Sequence, residues 1–281
     1  MFANDAGING FLVKQQQKSQ KSALNAKVLI GIRRERVRGN EMANEITKNV
    51  ERFYRSINSI LDHRYKSWEH CYNFFKKIKD KKLNDEELDL AQLHLAFYLA
   101  SWGMYRGSSF ILQKDYTVFK NIIKIILSKE YALLWDIESN LDRKEEMGRL
   151  FASLYKKIED TLKEIRTSVK SHPDFEGVEK RYLNEREEIS PTLATKILLG
   201  TIGCIPAYDR FFIGGLEKEK IQKKFNSEKS FIQMIDFYLK NKVELDSLRN
   251  KFKDYPLMKI LDMYFWVAGY ERFKQDNVGE E

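Results

Sequence analysis

Only four prolines, at positions 173, 191, 206 and 256, and fourteen glycines interrupt the 281 residues of this chain. Between these breaks leucine, lysine, glutamate and isoleucine recur at three- and four-residue intervals, the period that brings side chains onto one face of a helix. The pattern predicts an all-α protein, and the apolar content and length suffice for its core. The expected organisation is a flexible basic arm over residues 1–40 followed by a single multi-helix domain over residues 41–281.

Individual helices can be placed from the same spacing. Ile46, Val50, Phe53, Ile57, Ile60 and Leu61 fall on one face within residues 41–79. Asn84 and Glu87 form a capping-box signature before residues 88–104, where Leu90, Leu93, Leu95, Phe97 and Leu99 surround the helix axis. That distribution predicts a central, buried helix. Met147 through Val169 carries a clean apolar stripe, and His172-Pro173 is expected to end it. Further helices are expected over 230–238, 243–252 and 256–273, the last turning Leu257, Ile260, Leu261, Tyr264 and Phe265 to a core.

Charge is unevenly distributed. Residues 1–40 hold eight basic and two acidic side chains, which is +6 of the formal +8, so the body is close to neutral. The arm is either a basic tail for nucleic acid or an extension ahead of a domain that opens near Met42. Any polyanion site in the body must be a local patch. The two cysteines, Cys71 and Cys204, form no framework and no CxxC pair, which points to a reducing, cytoplasmic setting. No run is long enough for a membrane span and no apolar signal core opens the chain. His63, His70, Cys71 and His94 lack chelating spacing, and no Walker or dinucleotide loop occurs, so neither metal nor cofactor is expected.

Two runs carry candidate chemistry. Ile189–Phe212 spells a short apolar helix, a glycine turn and a second helix opening on an acid. Pro191 suits a first turn, Gly200 and Gly203 can stop a helix, and Pro206 suits the start of the next. Asp209 then falls in a helix's first turn, where backbone N–H groups and the macrodipole favour a carboxylate, as a reactive acid or as a cap. The second run, Ala100–Ser109, closes the apolar helix. As a pocket wall, Trp102 or Tyr105 would stack on a ring, Arg106 would bind an acid or phosphate, and Ser108 or Ser109 would donate hydrogen bonds. As a helix terminus, the run would instead pair Arg106 with a structural acid. Arg64 and His70, five residues apart between them, also resemble the short motif of HEPN ribonucleases, whose dimers cleave RNA.

The order in Thr195–Phe212, a Thr-Lys apolar helix, a short loop, Pro-x-x-Asp and an aromatic pair, resembles the core of the helix-hairpin-helix DNA glycosylase superfamily. The usual glycine pair of the hairpin is replaced by Ser190-Pro-Thr-Leu-Ala194. The resemblance implies an all-helical, monofunctional DNA N-glycosylase that needs no cofactor. Asp209 would stabilise the sugar cation, and Trp102, Tyr105, Arg106, Ser108 and Tyr208 would receive a flipped base. Lys196 and Arg210 would meet the DNA backbone, with Lys196 not acting as a Schiff-base nucleophile. Members of this kind also serve defence against phage by excising modified bases. The other classes open to the chain are a HEPN-like ribonuclease and a non-enzymatic helical binding or scaffold protein.

Overall fold

The computed structural model describes residues 45–106, 109–170 and 189–278. The chain divides into a unit of residues 1–46, of which Glu45 and Ile46 are described, and a unit of residues 47–281 that carries the helical body. The expected arm over residues 1–40 and the stop at His172-Pro173 lie outside the described residues. Among those described there is no strand.

Ten α-helices follow one another among the described residues: α1 (45–58), α2 (Ser67–Ile78), α3 (Asp85–Ser101), α4 (Lys120–Ile126), α5 (Lys144–Lys170), α6 (Pro191–Gly200), α7 (Arg210–Lys218), α8 (Ser227–Lys240), α9 (Lys242–Lys251) and α10 (Leu257–Val278). Short 3-10 turns link α3 to α4 and α4 to α5. The apolar stripe of α5 is buried at Met147, Phe151, Leu154, Ile158, Leu162 and Val169, and this helix packs on α8. All five residues expected to face the core from α10 are buried.

Two expectations need correction. The face read over residues 41–79 is not one continuous helix, because α1 ends at 58 and Asp62 takes a left-handed backbone with φ of 54° before α2 begins. Ile60 and Leu61 therefore sit in the connection and are exposed. Helix α3 does begin with a complete capping box, Asn84 accepting from the Glu87 N–H and Glu87 from the Asn84 N–H. It is not buried all round, however: Leu90, Leu93 and Phe97 are exposed, while Ala91, Leu95, Tyr98 and Leu99 face α2, α4 and α6. An apolar residue count around an axis does not reveal which side lacks a neighbour.

The closest helix pair is α7 on α10, and glycines make it possible. A Cβ added to Gly215 would lie 2.0 Å from the Phe265 carbonyl oxygen, and one on Gly269 would lie 1.8 Å from that of Phe211. Backbone therefore meets backbone at this crossing, and any side chain would push the helices apart. Gly200 plays a similar part and not the expected turn role. It is the last residue of α6, and an added Cβ would strike the Tyr98 ring at 2.2 Å. The left-handed residue is Gly203, with φ of 73°, and its N–H closes α6 by donating to the Leu198 carbonyl at 2.8 Å.

Candidate functional site

The segment between α6 and α7 is held by side chains from both directions. Thr192 Oγ1 donates to the Tyr208 carbonyl at 2.8 Å, and the Tyr208 N–H donates to Thr195 Oγ1 at 2.9 Å. From α10, Asp262 Oδ1 accepts the Ala207 N–H at 3.0 Å. Pro206 precedes α7 by four residues instead of opening it, and the Asp209 N–H turns back to the Ala207 carbonyl at 2.7 Å. The polar backbone of a buried connection is thus satisfied without regular structure.

This clamp presents Asp209. The residue is the N-cap of α7, one position before the first turn, and its Oδ1 accepts from the Phe211 and Phe212 N–H groups at 3.1 Å each. Its Oδ2 faces Lys196 Nζ at 3.7 Å, outside direct hydrogen-bond range. The two side chains are 15% and 7% exposed, so both are largely buried and the aspartate is the more accessible of the two. Burial pushes the Asp209 carboxyl above the ordinary aspartate range against the pull of Lys196 and the helix N–H groups. Burial likewise pulls the Lys196 ammonium below the ordinary lysine range, opposed by the Asp209 charge and reinforced by Arg106 and Lys259.

Trp102 joins this pair to α3. Lys196 Nζ donates to the Trp102 carbonyl at 3.2 Å and lies 5.6 Å from the centre of its ring. The run that ends α3 is a helix terminus in its backbone: Gly103 has φ of 72°, and the Met104 N–H reaches the Leu99 carbonyl at 2.9 Å, closing the helix through a left-handed glycine. Its side chains do more than cap. The half-buried Trp102 ring stacks on Tyr65 with centres 4.2 Å apart, and its Nε1–H is buried with no hydrogen-bond partner among the described residues. Tyr105 also keeps a buried, unpartnered hydroxyl, pushed up to about 12 by burial and the Asp115 charge. Arg106 is exposed, and its charge acts on Lys196 and not in an ion pair with Asp209.

A second lysine and aspartate lie behind the first. Lys259 and Asp262, 1% and 3% exposed, meet at 2.8 Å. The Lys259 ammonium also sits 4.9 Å from the Phe53 ring centre and 5.0 Å from those of Trp68 and Trp102. Sequence reading missed this pair. The available signal was a lysine and an aspartate three residues apart inside the otherwise apolar stretch 257–267, where a charge must be paired to be tolerated.

The structure therefore brings Trp102, Arg106, Lys196 and Asp209 into one neighbourhood, with Tyr105 beside Arg106 in the chain. The other expected residues fall in different settings. Lys196 is buried against Asp209 and Trp102, so it cannot reach a DNA backbone from this position. Tyr208 is fully buried, its ring against Phe212 and Phe225, and cannot receive a base. Ser108 lies outside the described residues. Arg210 is exposed, with its guanidinium over the rings of Phe211 and Phe273 at 4.5 and 5.0 Å. Of the ribonuclease-like pair, Arg64 lies exposed in a 3-10 turn and donates to the Tyr65 hydroxyl at 3.1 Å, while His70 is exposed on α2.

No family model, curated protein or solved structure matches this chain. Among the described residues no group of histidine, cysteine and acidic side chains could hold a metal ion, and no helix is long and apolar enough to cross a membrane.

Proposed function

We propose that the protein is a DNA N-glycosylase-like enzyme in which Asp209 stabilises the cation formed at the sugar when a base is cut away. The observation that carries this reading is the division of labour within one carboxylate. Oδ1 is committed to the α7 N-terminus, which fixes the group, while Oδ2 makes no direct hydrogen bond to Lys196, 3.7 Å away, and is left to act on a developing charge. Breaking an N-glycosidic bond develops positive charge at C1′, and a fixed carboxylate there lowers the barrier and orients water without having to reorganise. The half-buried rings of Trp102 and Tyr105 supply aromatic surface for a base taken out of the stack. Arg106 and Arg210, both exposed, supply positive charge for phosphates.

Asparagine caps helices as well as aspartate does, so Asp209→Asn keeps the acceptor for Phe211 and Phe212 while deleting the charge. Wild-type protein incubated with unmodified and modified-cytosine DNA, followed by alkali, is expected to give strand breaks at abasic sites. The folded Asp209→Asn variant should be slower by about 10²- to 10³-fold, the usual scale for removing one electrostatic stabiliser. Equal cleavage by the two proteins would eliminate Asp209 as the catalytic acid.

A further inference from the structure

A cavity of about 300 Å³ lies at the start of the α6–α7 connection, lined by Ile202 and Gly203 together with the end of α2, residues 134–138 and the turn before α10. That volume reaches the lower end of small-ligand sites. Three lysines from two parts of the chain border it: Lys76 in the last turn of α2, Lys79 at its C-cap and Lys253 in the turn between α9 and α10. None of the three is ion-paired among the described residues, although acids are near. Arg249 and Glu138 occupy one another at 3.6 Å, and Glu138 also accepts the Leu257 N–H at 2.8 Å. The other bordering acids are Asp136, which accepts from the Ser139 N–H at 3.4 Å, and the exposed Asp254. With Arg249 and Glu138 set against one another, three lysines face two carboxylates, Asp136 and Asp254, and the remaining balance is +1.

Its aromatic walls differ in a telling way. Tyr72 is stacked on Trp68 with centres 5.2 Å apart, and the Tyr255 hydroxyl donates to Glu69, so both are engaged in the core. Trp135 borders the same cavity half-exposed and makes no ring contact among the described residues. A half-exposed indole beside unpaired ammonium groups is the pairing that recognises a planar base carrying a phosphate. We propose that this cavity binds a nucleotide phosphate, with the base on Trp135 and the phosphate among Lys76, Lys79 and Lys253. The ligand is either a free mononucleotide or the 5′-phosphorylated end of a strand, two sources of one chemistry.

The site shares no side chain with the Asp209 neighbourhood, so the two proposals stand separately. Titration calorimetry on the full chain with adenosine 5′-monophosphate, adenosine, and short single strands bearing a 5′-phosphate or a 5′-hydroxyl tests it. A phosphate-bearing probe is expected to bind, and the Lys76→Gln/Lys253→Gln variant to bind it at least about tenfold more weakly, as loss of charge-assisted contacts implies. Trp135→Ala should weaken the same probe by about fivefold or more through lost stacking. Binding of the monophosphate assigns a free nucleotide, and binding of the phosphorylated strand alone assigns a strand end. No binding of either at millimolar concentration, equal binding by the lysine variant, or adenosine binding as well as its monophosphate overturns the proposal. Asp209→Asn should bind as the wild type does, which keeps this result apart from that of the excision assay.

Discussion

Two lysine–aspartate pairs lie against the same tryptophan and are built to opposite ends. Lys259 and Asp262 meet at 2.8 Å and are almost wholly sealed, whereas Lys196 and Asp209 stand 3.7 Å apart and are 7% and 15% exposed. Both ammonium groups share the Trp102 ring, at 5.0 and 5.6 Å. Charges withdrawn from water require full compensation, and the inner pair has it: a direct ion pair, three aromatic rings and a backbone N–H. The outer pair is incompletely compensated, and both its members are shifted toward neutrality by burial. An interaction that is complete holds structure together, while one left short retains capacity for a further charge. The inner pair also serves the outer one, since Asp262 grips the Ala207 N–H two residues before Asp209.

The sharpest way to break this contrast is to remove the inner acid. Asp262→Ala strands the Lys259 ammonium in a cage of rings and frees the Ala207 N–H, which should cost about 3–5 kcal/mol of unfolding free energy. Urea denaturation checks it. A loss no larger than that of Asp209→Ala would mean that the inner pair is no more structural than the outer. Next in size is Gly269→Ala, which drives a Cβ into the Phe211 carbonyl and loosens α7 from α10. Overpacking of this kind costs about 1–3 kcal/mol. Because α7 carries Asp209 at its cap, the substitution should also reduce any Asp209-dependent activity in protein that remains folded.

Much of this arrangement was legible beforehand, and the failures share a cause. The helices from α5 onward and the capping box of α3 follow from local spacing, since one stripe of apolar residues already says where a neighbour must lie. Asp209 could be found because N-caps are local. Lys196 was misplaced because a lysine within a short helix reads as solvent-facing until the packing partners of that helix are known. Its helix is so apolar that eight of its ten residues are buried, leaving the lysine nowhere to point but inward. Gly200 was given a turn role, and Gly215 and Gly269 went unexplained, for the same reason, each being small because of a partner distant in sequence. The cavity beside Trp135 likewise draws on four separate segments, which no short motif can encode.

The smallest effect is also the most discriminating between the two pairs. Asp209→Ala removes the acceptor for two helix N–H groups and should cost about 1 kcal/mol, while Asp209→Asn should cost only a few tenths near pH 4. The comparison then turns on pH. Since the folded protein holds the Asp209 carboxyl above its ordinary value of 3.8, folding favours the protonated form. That contribution is fully present below the unfolded-state value and is lost as pH rises through the folded one. Asparagine does not titrate, so the Asp209→Asn variant should gain stability relative to wild type as pH rises from below 4, levelling off once Asp209 is ionised. Denaturation of both proteins across this window measures the difference directly. A relative gain for the wild type with rising pH would show that Lys196 and the α7 N-terminus outweigh burial, making the outer pair a second, fully compensated ion pair and leaving the carboxylate little left to offer a cation.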